Sequence, residues 1–353
     1  MRIGYTLWRD MTGAKLRQLM EDLDPLVDFH VITFAFQVSG SKIKFAGPPF
    51  FNPRRLFSDV VRAVRESGKP YWVKLQLHPM PKTLPPGAIP EWWPGYVTLP
   101  PPVATGMIAG LGKGLSRAVE RITGRPPETV ISGVELASIV NWTDWTAVAD
   151  RIHECSDRVI YGSNFWQPIR TKYSGLIEWL YKWGLGPWII KSIMKGTPYE
   201  KADGKLLSDI AYGAKLERRF MSALDGIGLS AYFYPSMQKG VDPKKVMRSF
   251  RWGWFKLDYV GAALEWAKGL GQPLTISETG VIYNSPIAQD HDAVIKWFIS
   301  SFEVWEEAGV EDLVIWDEVR NEWVIEALRL YKAGWRSRGE VLYNIYGVEG
   351  SEV

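Results

Sequence analysis

The amino-acid sequence predicts a closed barrel of eight parallel strands, each followed by a helix, which is the (β/α)8 TIM-barrel architecture of the α/β class. Two observations predict it. Short apolar segments alternate along the chain with amphipathic ones, eight of each. The 353 residues, 46% of them hydrophobic, suit one such barrel with insertions. We therefore expect a single barrel domain over residues 1–353.

The predicted strands are short runs rich in Val, Ile, Tyr and Phe. They lack regular polar alternation, which is typical of parallel strands covered on both faces. In chain order they are RIGYTLW (2–8), DFHVITFAFQV (28–38), PYWVKLQLH (70–78), VISGVELAS (130–138), RVIYGSNFW (158–166), GIGLSAYFY (226–234), PLTISETG (273–280) and DLVIWDEV (312–319).

The predicted helices place apolar residues at i, i+3, i+4 and i+7. Gly68, Gly271 and Gly309 follow three of them as C-terminal stops. One continuous helical pattern is expected over 242–270. The competing fold is an open doubly wound sheet, which would require a glycine-rich turn after the first strand. That turn reads WRDMTGAK, without G-x-G-x-x-G, and the barrel is favoured.

Two connections, at about 79–105 and 167–203, are too long for simple loops. They follow the third and fifth strands, so in a barrel both lie at the carboxyl end, where active sites are built. The second contains an apolar segment, 174–195, that reads as a helical hairpin broken at Gly184, Gly186 and Pro187. A lid packed on the barrel, a dimer contact, and a surface for an apolar substrate or a membrane all remain open for it.

Composition excludes several classes of protein. The net charge of +3 is scattered, whereas nucleic-acid binding usually needs a concentrated basic face. No apolar run is long enough for a transmembrane span. Four dispersed histidines and the lack of H-E-x-x-H or G-x-S-x-G motifs argue against a metal site or a serine nucleophile, and we expect no cofactor. Cys155 is the single cysteine, interpreted as a buried thiol.

The N-terminus, MRIGYTLWRD, lacks the apolar core of a signal peptide. Two locations therefore remain open. The protein is either cytoplasmic or secreted with a leader that is absent from this sequence.

Two glutamates are the leading candidates for catalysis. Glu135 in SGVELAS and Glu278 in TISETG stand near the carboxyl ends of strands four and seven. A carboxylate among Val, Ile and Leu is costly to bury and needs a reason. A pair facing each other across a barrel mouth suits retaining glycoside hydrolysis, where the two carboxyl groups lie about 5–5.5 Å apart. A pair of salt-bridged, purely structural glutamates is the alternative.

Other strand ends offer substrate-binding groups. The 18 tryptophans indicate either an aromatic-rich core or aromatic walls on a ligand cleft, and sugar rings stack on aromatic faces. A phenol at strand six could keep the strand-seven carboxylate ionised by donating a hydrogen bond. His78 and Trp8 could equally serve packing, and Asp317 and Glu318 could instead pair with Arg320. The candidate substrate-binding residues are Trp8, His78, Asn164, Trp166, Tyr232, Trp316 and Asp317.

In their order, the segments SGVELAS, YGSNFW, DGIGLSAYFYP, QPLTISETG and VIWDE resemble glycoside hydrolase clan A, and most closely the family 113 type β-mannanases. The resemblance spans about residues 130–320. It implies Glu135 as acid/base, Glu278 as nucleophile, Tyr232 as the nucleophile's hydrogen-bond partner and Trp316 as a sugar platform. Val134 occupies the place where most of the clan has Asn, a departure that the family 113 type shares.

The sequence therefore predicts a retaining β-glycoside hydrolase that is endo-acting on a β-1,4-linked polysaccharide such as mannan or glucan. Its expected partner is a carbohydrate substrate. Two alternatives remain: a hydrolase of glycolipids or of β-glycosides with an apolar aglycone, which segment 174–195 motivates, and a barrel that binds carbohydrate without cleaving it.

Overall fold

The strands and helices below come from a computed structural model of the chain. The described residues are 1–7, 13–39, 42–45, 53–79, 128–132, 145–163, 224–252, 255–316 and 320–336, with short pieces between 105 and 121 and at 168–169, 172 and 183–185. Most of both predicted insertions lies outside them.

Eight parallel strands form the barrel. In chain order they are β1 (Arg2–Leu7), β2 (Phe29–Ser39), β4 (Tyr71–Pro79), β5 (Glu128–Ser132), β6 (Arg158–Ser163), β7 (Gly226–Ser230), β10 (Leu274–Thr279) and β11 (Asp312–Ile315). Each pairs with its neighbours in this order, and β11 pairs back with β1 from Arg2↔Asp312 to Tyr5↔Ile315, which closes the ring. The predicted (β/α)8 barrel is confirmed.

The described helices pack their apolar faces against the outside of the ring. They are α1 (Gly13–Leu23), α2 (Pro53–Ser67), α3 (Trp145–His153), α4 (Pro243–Arg248), α5 (Tyr259–Leu270), α6 (His291–Glu307) and α7 (Asn321–Lys332), with a 3-10 helix at Tyr234–Met237. Among these described helices, none has both the length and the apolar character needed to cross a bilayer.

The continuous helix predicted over 242–270 is wrong. The chain forms α4, then an antiparallel pair of strands, β8 (Phe250–Trp252) and β9 (Phe255–Leu257), and then α5. Two aspartates explain the division, because each caps the start of its own helix. The Asp242 side chain accepts from Lys245 N, and that of Asp258 accepts from Gly261 N. A third unpredicted strand, β3 (Lys42–Phe45), forms a hairpin with the end of β2.

The inside of the barrel is layered. At the amino end of the strands, Arg2 pairs with Asp312 and Arg158 pairs with Glu128, each across neighbouring strands. Above them lies an apolar layer, in which the rings of Phe29 and Trp72 stack with centroids 4.3 Å apart. The cluster consists of Phe29, Val31, Trp72, Val130, Ile160 and Val314. The described side chains thus fill the amino end and the middle of the barrel, which leaves its carboxyl end as the place for a ligand.

Candidate active site

Glu278 lies near the carboxyl end of β10, the seventh strand of the barrel, and its side chain is buried. Burying a carboxylate is costly unless hydrogen bonds or an opposite charge compensate it. The contacts described below provide both.

An irregularity in β10 orients this carboxylate. Thr275 pairs with Gly228, and Glu278 pairs with Ser230. Between these two pairs β10 advances by three residues, whereas β7 advances by only two. The extra residue is a β-bulge, which interrupts the alternation of side chains between the two faces of a strand. Ser277 lies against Gly228 inside the barrel, and Glu278, the next residue, also contacts interior side chains.

Both carboxylate oxygens of Glu278 have a described partner. Ser230 Oγ donates a hydrogen bond of 2.7 Å to Oε2, and Lys74 Nζ lies 2.9 Å from Oε1. Ser230 is the register partner of Glu278 on the neighbouring strand β7, so its side chain leaves the sheet beside the carboxylate. Together these partners hold the carboxylate in one orientation.

Lys74 reaches Glu278 from β4, the third strand, which lies opposite the seventh in the ring. The lysine is fully buried, and its Nζ also donates to the carbonyl oxygen of Ser277, 3.2 Å away. Burial lowers the pKa of Lys74, while the charge and hydrogen bond of Glu278 act in the opposite direction. Burial is the larger of the two effects, and Glu278 offsets part of it.

Of the other predicted residues, Trp316 lies near this pair, and Tyr232 is described as well. The ring of Trp316, which directly follows β11, has its centroid 5.0 Å from Lys74 Nζ, a cation–π distance. Its backbone N–H donates to the carbonyl oxygen of Thr279, which ties it to the end of β10. Tyr232 lies two residues beyond Ser230 and is half-buried against the core. The structure thus brings Glu278 and Trp316 to the same lysine.

The remaining predicted residues lie outside the described part. Three described strands end just before a predicted site residue. β1 ends at Leu7, one residue before Trp8, β5 ends at Ser132, three residues before Glu135, and β6 ends at Ser163, one residue before Asn164. His78 belongs to β4, but only its backbone is described. The predicted site residues outside the described part are Trp8, Glu135, Asn164, Trp166 and Asp317. The distance between the carboxyl groups of Glu135 and Glu278 therefore stays a prediction.

Sequence reasoning missed Lys74 and Ser230. The signal for Lys74 was present, because YWVKLQLH places a charged residue within an apolar strand, the same pattern that singled out the glutamates. Ser230 offered no comparable signal, since a serine in a strand is inexpensive and common. Its role depends on the register between β7 and β10, which the sequence does not reveal.

Chemically, an ionised carboxylate at this position can attack an electrophilic carbon or accept a proton. The fixed orientation favours attack along one direction. Among the described residues, no group of three or more His, Cys, Asp or Glu side chains is placed to hold a metal ion.

Comparison with known proteins shows the fold. No protein-family model matches the chain, and no curated protein does. The solved GH113 β-mannanase from Alicyclobacillus acidocaldarius, in complex with ManMIm, is similar, with a TM-score of 0.54, 15% identity, and coverage of 93% of this chain and 96% of that one. Two structures of GH113 β-1,4-mannanase are also similar. One has a TM-score of 0.53 and 12% identity, and the match covers 95% of this chain and 98% of that one. The other has a TM-score of 0.55 and 13% identity, and the match covers 96% of this chain and 99% of that one. The chain therefore shares the barrel fold of these clan A glycosidases, with matches that cover 93–96% of its length.

Proposed function

We propose that this protein is a retaining β-glycoside hydrolase that acts within a β-1,4-linked polysaccharide, with mannan as the leading candidate and glucan next. The observation that supports it most is the state of Glu278, a buried carboxylate held at Oε1 by Lys74 and at Oε2 by Ser230 near the end of the seventh barrel strand. Mannan leads because the fold is shared with proteins described as β-mannanases.

In the proposed mechanism, Glu278 attacks the anomeric carbon of the bound sugar. The bond to the leaving oxygen breaks, and Glu135 donates its proton to that oxygen. In the second step Glu135 accepts a proton from water, the water oxygen attacks the same carbon, and the electron pair of the ester bond returns to Glu278. Two inversions give net retention of configuration.

Aromatic and polar groups at the strand ends would hold the sugar. We propose that Trp316, fixed beside Lys74 and the end of β10, supplies an aromatic face to the substrate. Trp8, His78, Asn164, Trp166, Tyr232 and Asp317 complete the proposed substrate-binding set. No cofactor enters this mechanism.

The test compares the wild type with Glu135→Gln and Glu278→Gln on mannan, glucan and aryl β-glycosides. Each change should lower kcat/KM by about a thousandfold or more, because each removes a proton-transfer or covalent step. Glu311→Gln is the matched control, since Glu311 is an exposed glutamate at the opposite end of a barrel strand. Unchanged turnover in both site variants would contradict the proposal, as would an inverted product in NMR spectra.

The pH profile offers a second check. Activity should be bell-shaped, because the mechanism needs an ionised Glu278 and a protonated Glu135. Glu278 would be responsible for the acidic limb and Glu135 for the basic limb. A profile that is flat on both sides would contradict these two roles.

A hydrolase of glycosides with an apolar aglycone is the second candidate. One observation favours it: Trp183 and Leu185, within segment 174–195, are 65% and 44% exposed, on either side of Gly184. Trp183→Ser with Leu185→Ser should then lower activity on micellar long-chain alkyl β-glycosides and spare soluble aryl glycosides. Equal effects on both substrates would contradict this candidate. Calorimetric binding of oligosaccharide without any product would instead indicate a barrel that only binds carbohydrate.

A further inference from the structure

The environment of Lys74 is unusual for a lysine. Lys74 crosses the interior from the third strand to the seventh, is fully buried, and has its Nζ 2.9 Å from Glu278 Oε1. A buried lysine is expensive, and an apolar residue of similar volume often gives equal or greater stability. A lysine at this position therefore calls for an explanation beyond packing.

The charge of Glu278 changes during the proposed reaction. In the free enzyme it is a carboxylate that faces an ammonium group. In the covalent glycosyl-enzyme it is a neutral ester, and Lys74 has lost its counter-charge. An unpaired buried charge is strongly unfavourable, so the environment of Lys74 favours the carboxylate over the ester.

We infer that Lys74 is a positioning residue that accelerates the second half of the double displacement, by stabilising the carboxylate that Glu278 becomes again as the glycosyl ester is hydrolysed. In that step water attacks the anomeric carbon, its proton passes to the acid/base, and the electron pair of the broken ester bond returns to Glu278 Oε. The ammonium group of Lys74 stabilises the negative charge that develops there.

Ser230 provides a contrast within the same site. It donates a neutral hydrogen bond to the other oxygen, Oε2, at 2.7 Å. When the ester forms, the hydroxyl of Ser230 leaves no unpaired charge behind, because it is neutral. The ammonium group of Lys74, in contrast, loses its counter-charge. Lys74 should therefore affect the balance between the two steps more than Ser230 does. This inference rests on the proposed function.

The experiment measures which step limits turnover. The probe is 2,4-dinitrophenyl β-mannoside, whose good leaving group makes formation of the glycosyl-enzyme fast. Rapid mixing of Lys74→Met with this probe should release about one dinitrophenolate per enzyme, followed by a steady rate about tenfold or more below that of the wild type. Intact mass after an acid quench should show the protein plus one glycosyl group. Lys74→Gln, which keeps a hydrogen-bond donor without the charge, should behave alike.

The control is Lys69→Met. Lys69 precedes the same strand at its amino end, and its Nζ donates to the carbonyl oxygen of Val27, 2.7 Å away. It should change neither the burst nor the steady rate. Slow release of dinitrophenolate in the first turnover of Lys74→Met, without accumulation of the adduct, would overturn the inference. Failure of both Lys74 variants to fold would overturn it too, by assigning Lys74 to stability alone.

A thermal unfolding cycle separates this inference from the proposed function, because it needs no substrate. Lys74→Met and Glu278→Gln should each lower Tm, and the double variant should lose less than the two single losses added together. Strict additivity would contradict the ion pair and the inference with it. A wild type that cleaves no glycoside would instead refute the proposed function, and the coupling in the cycle would then describe a structural pair.

Discussion

At the scale of single residues, the site depends on how a buried carboxylate is compensated. Glu278 has a cation at one oxygen and a hydroxyl donor at the other. Hydrogen bonds to a charged group are worth more than those between neutral groups, about 1.5–3 kcal/mol each. Each partner of Glu278 should therefore have a measurable effect of its own.

Ser230→Ala tests the hydroxyl donor. We expect kcat/KM to fall about tenfold or more, because the variant loses one donor and with it the fixed orientation of the carboxylate. Steady-state kinetics on an aryl β-glycoside measure this. Ser156→Ala is the matched control, since Ser156 is a buried serine just before the amino end of β6 and donates to the carbonyl oxygen of Arg158. An equal loss in both variants would contradict a specific role for Ser230.

The sequence identified Glu278 for a physical reason that the structure illustrates. A charged residue buried in an apolar strand needs a close partner of opposite charge or a hydrogen-bond donor, because an unpaired buried charge is costly. The identity of the partner was beyond the sequence, because Lys74 and Glu278 are 204 residues apart in the chain. Only closure of the ring brings the third strand opposite the seventh.

At the scale of elements, the bulge in β10 determines where Glu278 points. Gly228 on the neighbouring strand makes room for it. A Cβ at position 228 would lie 2.6 Å from both Cβ and Oγ of Ser277. The small residue and the bulge are therefore complementary.

Gly228→Ala should displace Ser277 and the bulge. We expect about 1–3 kcal/mol of destabilisation and a large loss of activity, because the displaced backbone carries Glu278. Denaturant unfolding and steady-state kinetics measure the two effects. Adding Ser277→Gly should recover much of both, since it removes the atoms that the new methyl group meets. The prediction fails if the second change brings no recovery.

The error over 242–270 also belongs to this scale. Apolar residues recur at helical spacing through the whole segment, which predicted one helix. Asp258 nevertheless begins a new helix, because its side chain accepts a hydrogen bond of 2.8 Å from Gly261 N. Capping signals are short and easily hidden within a longer pattern. The stop at the other end was predicted correctly, because Gly271 caps α5 in the left-handed conformation with φ 67°.

Asp258→Ala should destabilise the protein by about 1 kcal/mol, because the first turn of α5 loses its side-chain acceptor. A denaturant titration measures the change. Asp258→Asn keeps an acceptor oxygen and should lose only a few tenths of this. Equal losses in the two variants would show that the cap does not depend on hydrogen bonding.

At the scale of the whole molecule, the two ends of the barrel use charge differently. The amino end closes with the pairs Arg2–Asp312 and Arg158–Glu128. Burial raises the pKa of Glu128 to about 7, although Arg158 opposes this from 2.9 Å. Among the described residues, Glu128 Oε2 has no hydrogen-bond partner, which leaves that oxygen costly to charge.

This shift should make stability depend on pH. The folded state holds the proton of Glu128 up to about pH 7, whereas the unfolded chain releases it near its ordinary value of 4.5. The folded state therefore binds more protons in this range, and the free energy of unfolding should fall as pH rises from about 4.5 to 7, by roughly 2–3 kcal/mol.

Glu128→Gln should remove most of that slope, as measured by denaturant unfolding at several pH values. Glu154→Gln is the control. The hydrogen bond from Lys113 lowers the pKa of Glu154, which is the direction opposite to the shift of Glu128, so this variant should keep the wild-type slope. A wild-type slope that persists in Glu128→Gln would contradict the assignment.

The ring itself could be predicted because its strands are short apolar runs and its helices have a local apolar periodicity. Eight such pairs have few ways to bury their apolar faces. The hairpin of β2 with β3 could not be predicted in this way. The four residues of β3, Lys42–Phe45, are too few for a periodic signal. The strand forms because it pairs with the carboxyl-terminal end of β2.

The lysine that spans the interior also limits how far a ligand can enter. Lys74 is wholly inaccessible to solvent, and the stacked rings of Phe29 and Trp72 fill the space beneath it. A ligand arriving at the carboxyl end must stop at the level of Lys74 and Glu278. Under the proposed function, selectivity for one sugar over another would then be decided above this floor, by the segments that follow the strands. Attempts to change the preferred sugar should therefore redesign those segments and leave the floor intact.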